Sequence, residues 1–373
     1  MSTLCAEANG INMAQGVCDT DPPTAVVETA IAAIHAGHNI YTRLDGIASL
    51  REAIAAKLAR FNHLHVDAHR NVLVTSGATG ALYAAVQALL NPGDACLVLE
   101  PFYGYHLFTL RALGVEPIVV PLAAPTFALD LDRLRAAITP KTRAIILNSP
   151  SNPSGRVFSQ TELEQLAVFA TEHDLFVFSD EIYEHFLYDG RAHRSIGALD
   201  GMAERTITIS GFSKTFSVTG WRLGYLAAHE RWLPAIGYFH DLTYVCAPAP
   251  LQHGAAAGLL TLPESFYTEM TAEYQAKRDR FCAALTRAGL TPIVPEGAYY
   301  VLADVSQVAG ADAKAKARTL LRETGVAAVA GSAFFATRAD GTNPGDHLLR
   351  FCFAKKDADL AAACARLEAW QSA

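Results

Sequence analysis

The stretch Thr206–Tyr225 reads TITISGFSKTFSVTGWRLGY. Thr206, Ile207, Thr208 and Ile209 are β-branched, so the stretch opens as a strand. The strand runs into Ser210-Gly211-Phe212-Ser213-Lys214, a small-residue turn that closes on a lysine. Arg222 follows eight positions later, past the break at Gly220. A lysine at the mouth of an α/β sheet, with hydroxyls before it and an arginine after it, suits an amine nucleophile beside a phosphate. The amine condenses with an aldehyde, and the hydroxyls and guanidinium hold the anion. The plain alternative is a surface lysine and a surface arginine on a strand-turn-strand.

Upstream of this stretch, helical and strand periods alternate. Strands are expected at Asn71–Thr75, Asp94–Leu99, Pro117–Pro121, Thr142–Asn148 and Leu175–Ser179. Between them lie helices at Thr79–Leu90, Tyr103–Leu113, Leu131–Ile138 and Gln160–His173. Several of the strands are nearly all apolar, the mark of a mostly parallel sheet covered on both faces. After about Pro263 the character changes to long helices, Glu264–Ala288 and Ala313–Thr324, with short strands near Tyr299–Ala303 and Leu348–Phe353. A large domain over 35–262 is expected, with a smaller α+β domain from 1–34, including a helix at Thr24–Ala36, plus 263–373.

The 373 residues, 51% hydrophobic and 18% charged, can bury cores of that size. A net charge of −7 without a basic block argues against nucleic acid or an anionic membrane as partner. No apolar run is long enough to span a bilayer. The start, MSTLCAEANGINMAQG, lacks a positive region followed by an apolar core, so no signal peptide is expected. The seven cysteines are far apart and form no C-x-x-C pair, which makes reduced cytoplasmic thiols the default and metal ligation unexpected. G-x-x-x-x-G-K-[ST] is absent, and no G-x-G-x-x-G follows a strand.

SKTFSVTGWRLGY resembles the cofactor-lysine signature of the class I/II aminotransferases, fold-type-I enzymes that use pyridoxal 5'-phosphate (PLP). The resemblance runs in the family's order from about Gly16 to Arg350. It implies a seven-stranded-type sheet sandwiched by helices, and transfer of an amino group between an α-amino acid and a 2-oxo acid. Lys214 is then the Schiff-base amine and proton carrier, and Arg222 the phosphate clamp. Gly211 stands where many relatives have serine, which leaves Ser210 or Ser213 as the phosphate hydroxyl.

Other segments carry the same resemblance. Gly77, Ala78 and Thr79 join a strand to a helix start, where free N–H groups receive an anion. Tyr103, two residues after Pro101, holds the place of the aromatic that lies on the pyridine ring; the plain reading is a core aromatic. Asn148-Ser149-Pro150-Ser151-Asn152-Pro153-Ser154-Gly155 resembles N-x-P-x-N-P-T-G, which implies that Asn152 donates to the ring O3′ and that Asn152–Pro153 is a candidate cis bond. Asp180, at the end of a buried strand, needs a partner, and a protonated pyridine nitrogen is a suitable one. A helix-capping role is its alternative. Tyr183 in the same D-E-I-Y-E string would reach O3′.

Tyr41 opens YTRLDGIASLREAIA, similar to Y-x-x-x-x-G-x-x-x-L-R, whose tyrosine reaches the phosphate of a neighbouring subunit. That implies a symmetric homodimer. Gly16 matches the lead that passes over the substrate, although Val17-Cys18-Asp19 depart from the frequent F-P-D or D-P-D. Arg350 lies in an apolar strand and would grip the substrate carboxylate; a structural ion pair is the alternative. No second arginine is clearly placed for a dicarboxylate, so neutral or aromatic substrates are favoured. Elimination or replacement at Cβ, a specialised biosynthetic step, or a PLP-sensing domain without turnover are the competing readings.

Overall fold

Apolar strands and amphipathic helices meet in the computed structural model, which describes residues 1–370. Seven strands form the main sheet, in the spatial order Val72–Thr75, Gly224–Ala227, Thr206–Gly211, Phe176–Asp180, Thr142–Asn148, Ala95–Glu100, Glu116–Pro121. Gly224–Ala227 runs antiparallel to both its neighbours and every other pairing is parallel. The strands Ala95–Glu100 and Thr206–Gly211 are buried along their whole length. The antiparallel strand was not expected. Gly211 and Gly224 pair in it, and a Cβ on Gly211 would stand 2.9 Å from Gly224 Cα.

The expected helix and strand limits hold to within one or two residues. Ala313–Thr324 has the predicted bounds because Asp312 Oδ1 accepts from Ala315 N at 2.7 Å and Gly325 takes φ +70° at the end. Two helices lie in a region without a sequence assignment, Leu233–Tyr244 and Ala249–Thr261. A second, antiparallel sheet has the order Val329–Ala330, Leu348–Cys352, Tyr300–Asp304, Thr291–Ile293. The helices Glu264–Arg287, Ala313–Thr324 and Asp357–Trp370 belong with it, and Ile11–Asn12 pairs in parallel with Val326–Ala327.

One segment departs from the expected partition. The helix Thr24–His35, read as part of the small domain, packs along Ala249–Thr261. Its Val26 shares a core with Leu50, Val72, Val74 and Phe216 of the large body. Gly254 permits the contact, since a Cβ there would stand 2.5 Å from Val26 O. An amphipathic stripe tells a helix to bury one face without saying against which partner.

Candidate active site

A cavity of about 900 Å3 opens beyond the C-terminal ends of the parallel strands, between the two sheets. Gly16, Ala78, Thr79, Tyr103, Asn152, Asp180, Tyr183, Ser213, Lys214, Arg222 and Arg350 all line it. These residues of distant motifs therefore converge on one space, while Gly77, Ser210 and Tyr41 do not line it.

Lys214 follows the strand Thr206–Gly211, and its Nζ donates to Gly16 O at 3.3 Å. Burial pushes the amine below its ordinary range, and the Arg222 guanidinium pushes the same way. Arg222 takes φ +51° at the end of a single helical turn and donates from Nη1 to Thr219 O at 3.0 Å. Its guanidinium stands beside the start of the helix Gly77–Leu89. Gly77 has φ +74°, and a Cβ there would stand 2.6 Å from Arg222 Nη2. Free N–H groups at a helix start, a guanidinium and the nearby Ser213 and Thr79 form a cup for an anion.

The two serines differ in where their side chains lie. Ser210 Oγ points away from the cavity and donates to Glu184 Oε1 at 2.7 Å, so Ser210 is not a cavity residue. Ser213 lines the cavity.

Asp180 ends the strand Phe176–Asp180, and its Oδ2 lies 3.0 Å from Nε2 of the buried His106. His106 was missed by sequence reasoning. It falls three residues after Tyr103, on the helix Gly104–Ala112, and its ring meets Tyr103 edge-on at 5.4 Å. Asp180 Oδ1 accepts from Ile182 N at 3.3 Å, so the local turn contact and the cavity position coexist. Burial pushes the Tyr103 hydroxyl up to about 12 and the Tyr183 hydroxyl well above its ordinary range. Tyr183 OH and Tyr300 OH pair at 2.9 Å.

The Asn152–Pro153 bond is cis. Asn152 N donates to Asn148 Oδ1 at 2.8 Å, and Asn152 Oδ1 accepts from Arg350 Nη1 at 2.9 Å. Arg350 Nη2 donates to Ala14 O at 2.7 Å, while its buried Nε has no partner. The guanidinium lies over the rings of Tyr300 and Phe334, 4.4 and 4.9 Å from their centroids. Among the described residues no carboxylate pairs with Arg350, Arg222 or Lys214, so the ion-pair reading of Arg350 does not hold. Tyr41 is 79% exposed and lines an adjoining surface groove that shares Ser76 and Tyr244 with the cavity.

Behind the cavity lies a second cluster that sequence reasoning missed. Glu181 and Glu184 lie in the turn after the strand and face away from the cavity that Asp180 and Tyr183 line. Lys57 Nζ meets Glu184 Oε2 at 2.5 Å and donates to Asn62 Oδ1 at 2.9 Å. Asn62 Nδ2 donates to Glu184 Oε2 at 2.7 Å and to Glu181 Oε2 at 3.1 Å. Ser179, Ser195 and His193 complete the shell of Glu181 at 2.7–2.8 Å. A π-turn over Leu58–Asn62 aims Lys57 and Asn62 inward together. Ligand atoms of Glu181, Glu184 and His193 gather closely enough for a metal ion, but the Lys57 ammonium already supplies the cation.

Known proteins share this architecture. The family profile for aminotransferases of class I and II matches residues 8–367. A probable N-succinyldiaminopimelate aminotransferase of Mycobacterium tuberculosis is 38% identical over 376 residues, covering 98% of this chain and 94% of that one. The human kynurenine–oxoglutarate transaminase 3 is 34% identical, covering 98% of this chain and 86% of its own. The solved N-succinyldiaminopimelate aminotransferase from Mycobacterium tuberculosis superimposes with a TM-score of 0.94 at 38% identity, covering 99% of this chain and 96% of that one. With its fold-type-I sheet and helix layers, the chain belongs to the class I and II aminotransferases, enzymes that move an amino group between an amino acid and an oxo acid.

Proposed function

We propose that the cavity holds pyridoxal 5'-phosphate and takes neutral or aromatic amino acids with a 2-oxo acid as acceptor. The observation behind this reading is the imbalance of charge. Lys214, Arg222 and Arg350 enter one cavity without an acid on any of them, while the carboxylate of Asp180 is held by His106. Two anions are wanted, one at each arginine. A phosphate suits the cup of Arg222, Ser213, Thr79 and the N–H groups after Gly77. An α-carboxylate suits Arg350, whose Nε is still free and which Asn152 and Ala14 hold in place.

When bound, PLP supplies an aldehyde that condenses with amines and a protonated ring that draws electrons from the substrate Cα. The protein's own groups do the rest. Asp180, oriented by His106, keeps a negative oxygen available to the ring nitrogen. Tyr103 offers an aromatic face, and Asn152 and Tyr183 offer polar atoms to the ring oxygen. Lys214, whose amine burial pushes below its ordinary range, takes a proton at Cα and returns it across the cavity. Among the described residues the three lysine and arginine side chains that line the cavity each have a task, which leaves none of them for a distal carboxylate.

A second copy of this chain completes the site, with Tyr41 reaching the neighbour's phosphate cup. The exposure of Ile40 and Tyr41 beside the cavity supports this; a monomer in solution would remove Tyr41 from the site. The seven free thiols support a cytoplasmic setting, and among the described residues no helix is long and apolar enough to cross a membrane.

The test is Lys214→Ala. PLP added to the wild type gives the visible absorbance of a lysine-linked cofactor, and a panel of amino donors with 2-oxoglutarate or pyruvate gives turnover. The variant is expected to lose that absorbance and at least about 10^3-fold in rate. Retained turnover with several donors would overturn the reading.

A further inference from the structure

A buried acid outside the cavity grips the segment that backs Arg350. Glu100 ends the strand Ala95–Glu100 and is 2% exposed. Its Oε1 accepts from Ala336 N at 2.6 Å and from Arg338 Nη1 at 3.2 Å, and its Oε2 accepts from Arg338 Nη2. Two residues on, Phe102 N donates to Phe334 O at 3.0 Å. Residues 100–102 of the large sheet thus clasp alternate residues of 334–338, which belong to the other body. The Arg350 guanidinium lies over the Phe334 ring, 4.9 Å from its centroid. Tyr103, on the cavity wall, follows directly on the clasp.

A fully buried carboxylate with one N–H and a forked guanidinium on it is a stiff connection. Only the guanidinium side of it reaches solvent, since Arg338 is about one-third exposed. Glu100 itself does not line the cavity. Its contacts run to the backbone and side chains that place Phe334, and through Phe334 to Arg350.

We infer that Glu100, with Arg338, is a positioning residue for substrate carboxylate: the clasp sets the ring on which Arg350 lies, and so the distance between the carboxylate site and the wall that carries Tyr103. This rests on the reading of Arg350 given above. It goes beyond it by assigning substrate affinity to a pair that touches neither substrate nor cofactor.

The experiment uses PLP-loaded protein and 3-phenylpropionate, a carboxylate without an amine. Its Kd is read from the cofactor's visible absorbance, beside the Kd for PLP and the KM and kcat for an amino donor. Glu100→Gln keeps an acceptor for Ala336 N and removes the charge. Arg338→Met keeps the apolar stem at a partly exposed position, and decides the matter if Glu100→Gln fails to fold. The Kd for 3-phenylpropionate and the KM are expected to rise about tenfold in each variant, with the Kd for PLP and kcat within about twofold of wild type. The double variant should lose no more than either single one. An unchanged carboxylate Kd in folded variants would overturn the inference, as would a parallel loss of PLP affinity, which marks general loosening. Wild-type protein that binds PLP but not 3-phenylpropionate would instead overturn the assignment of Arg350.

Discussion

Two buried charge clusters sit back to back on one strand end, and they differ in whether their valences are filled. Behind the strand, Glu181 and Glu184 meet Lys57, Asn62, His193 and three serines, and each carboxylate oxygen has a partner. In front, Lys214 and Arg222 find only backbone carbonyls, and Arg350 a carbonyl and an amide oxygen. The turn that follows the strand leaves Asp180, Ile182 and Tyr183 on the cavity and carries Glu181 and Glu184 to its rear. A closed network holds the chain in place, whereas an open one keeps charge ready for a ligand. Composition alone would rank the rear cluster as the metal or catalytic centre, since it gathers two glutamates and a histidine. The hydrogen-bond inventory reverses that ranking.

The comparison breaks most visibly at Lys57. Lys57→Met leaves buried acids without their lysine and should cost about 3–5 kcal/mol of stability, measured by urea unfolding at neutral pH. Burial would raise the Glu184 carboxyl, but the Lys57 ammonium, with His185 and His193, holds it well below its ordinary 4.5. A depressed acid contributes stability above its unfolded value and loses it as pH falls through the folded one. In the variant the largest effect opposing burial is gone, so the Glu184 pKa rises. The gap between wild type and Lys57→Met should therefore narrow as pH falls from 7 toward 4. A gap that is small at pH 7 would mean the rear cluster is not held by that ion pair.

A smaller effect is expected at the anion cup. Gly77→Ala sets a Cβ in the left-handed region against Arg222, a strain of roughly 1–2 kcal/mol. PLP should bind about tenfold more weakly by absorbance titration, with the fold retained. Unchanged affinity would separate Arg222 from the phosphate.

The smallest effect carries the opposite sign and sharpens the contrast. Lys214→Met in cofactor-free protein removes a desolvated amine without a counter-ion. It should raise stability at neutral pH by about 1 kcal/mol. Because the folded amine titrates below its ordinary 10.5, the charged form is disfavoured in the native state. That penalty is full below the folded value and fades as pH rises toward 10.5. The gain should close in the alkaline range. One kind of substitution, lysine to methionine, thus unfolds one cluster and relaxes the other.

Much of this was legible in the residues. Apolar runs such as Asp94–Leu99 marked parallel strands, and the helix Ala313–Thr324 was read with its bounds. Motif order named Lys214, Asp180, Asn152, Arg222 and Arg350, all of which line one cavity. Local pattern suffices there because periodicity and turn chemistry act over a few residues.

What lay beyond the sequence were choices made between distant segments. His106 and Asp180 are 74 positions apart, and Lys57 and Tyr225 are 168 apart, yet each pair is in contact. The packing of whole elements decided those pairs, turned Ser210 toward Glu184 while Ser213 lines the cavity, and laid Thr24–His35 on the large body. Sequence by itself determined which faces must be buried and which residue types carry the chemistry. Only the tertiary structure decided which buried charge meets which partner, because that depends on the packing of whole elements and not on spacing along the chain.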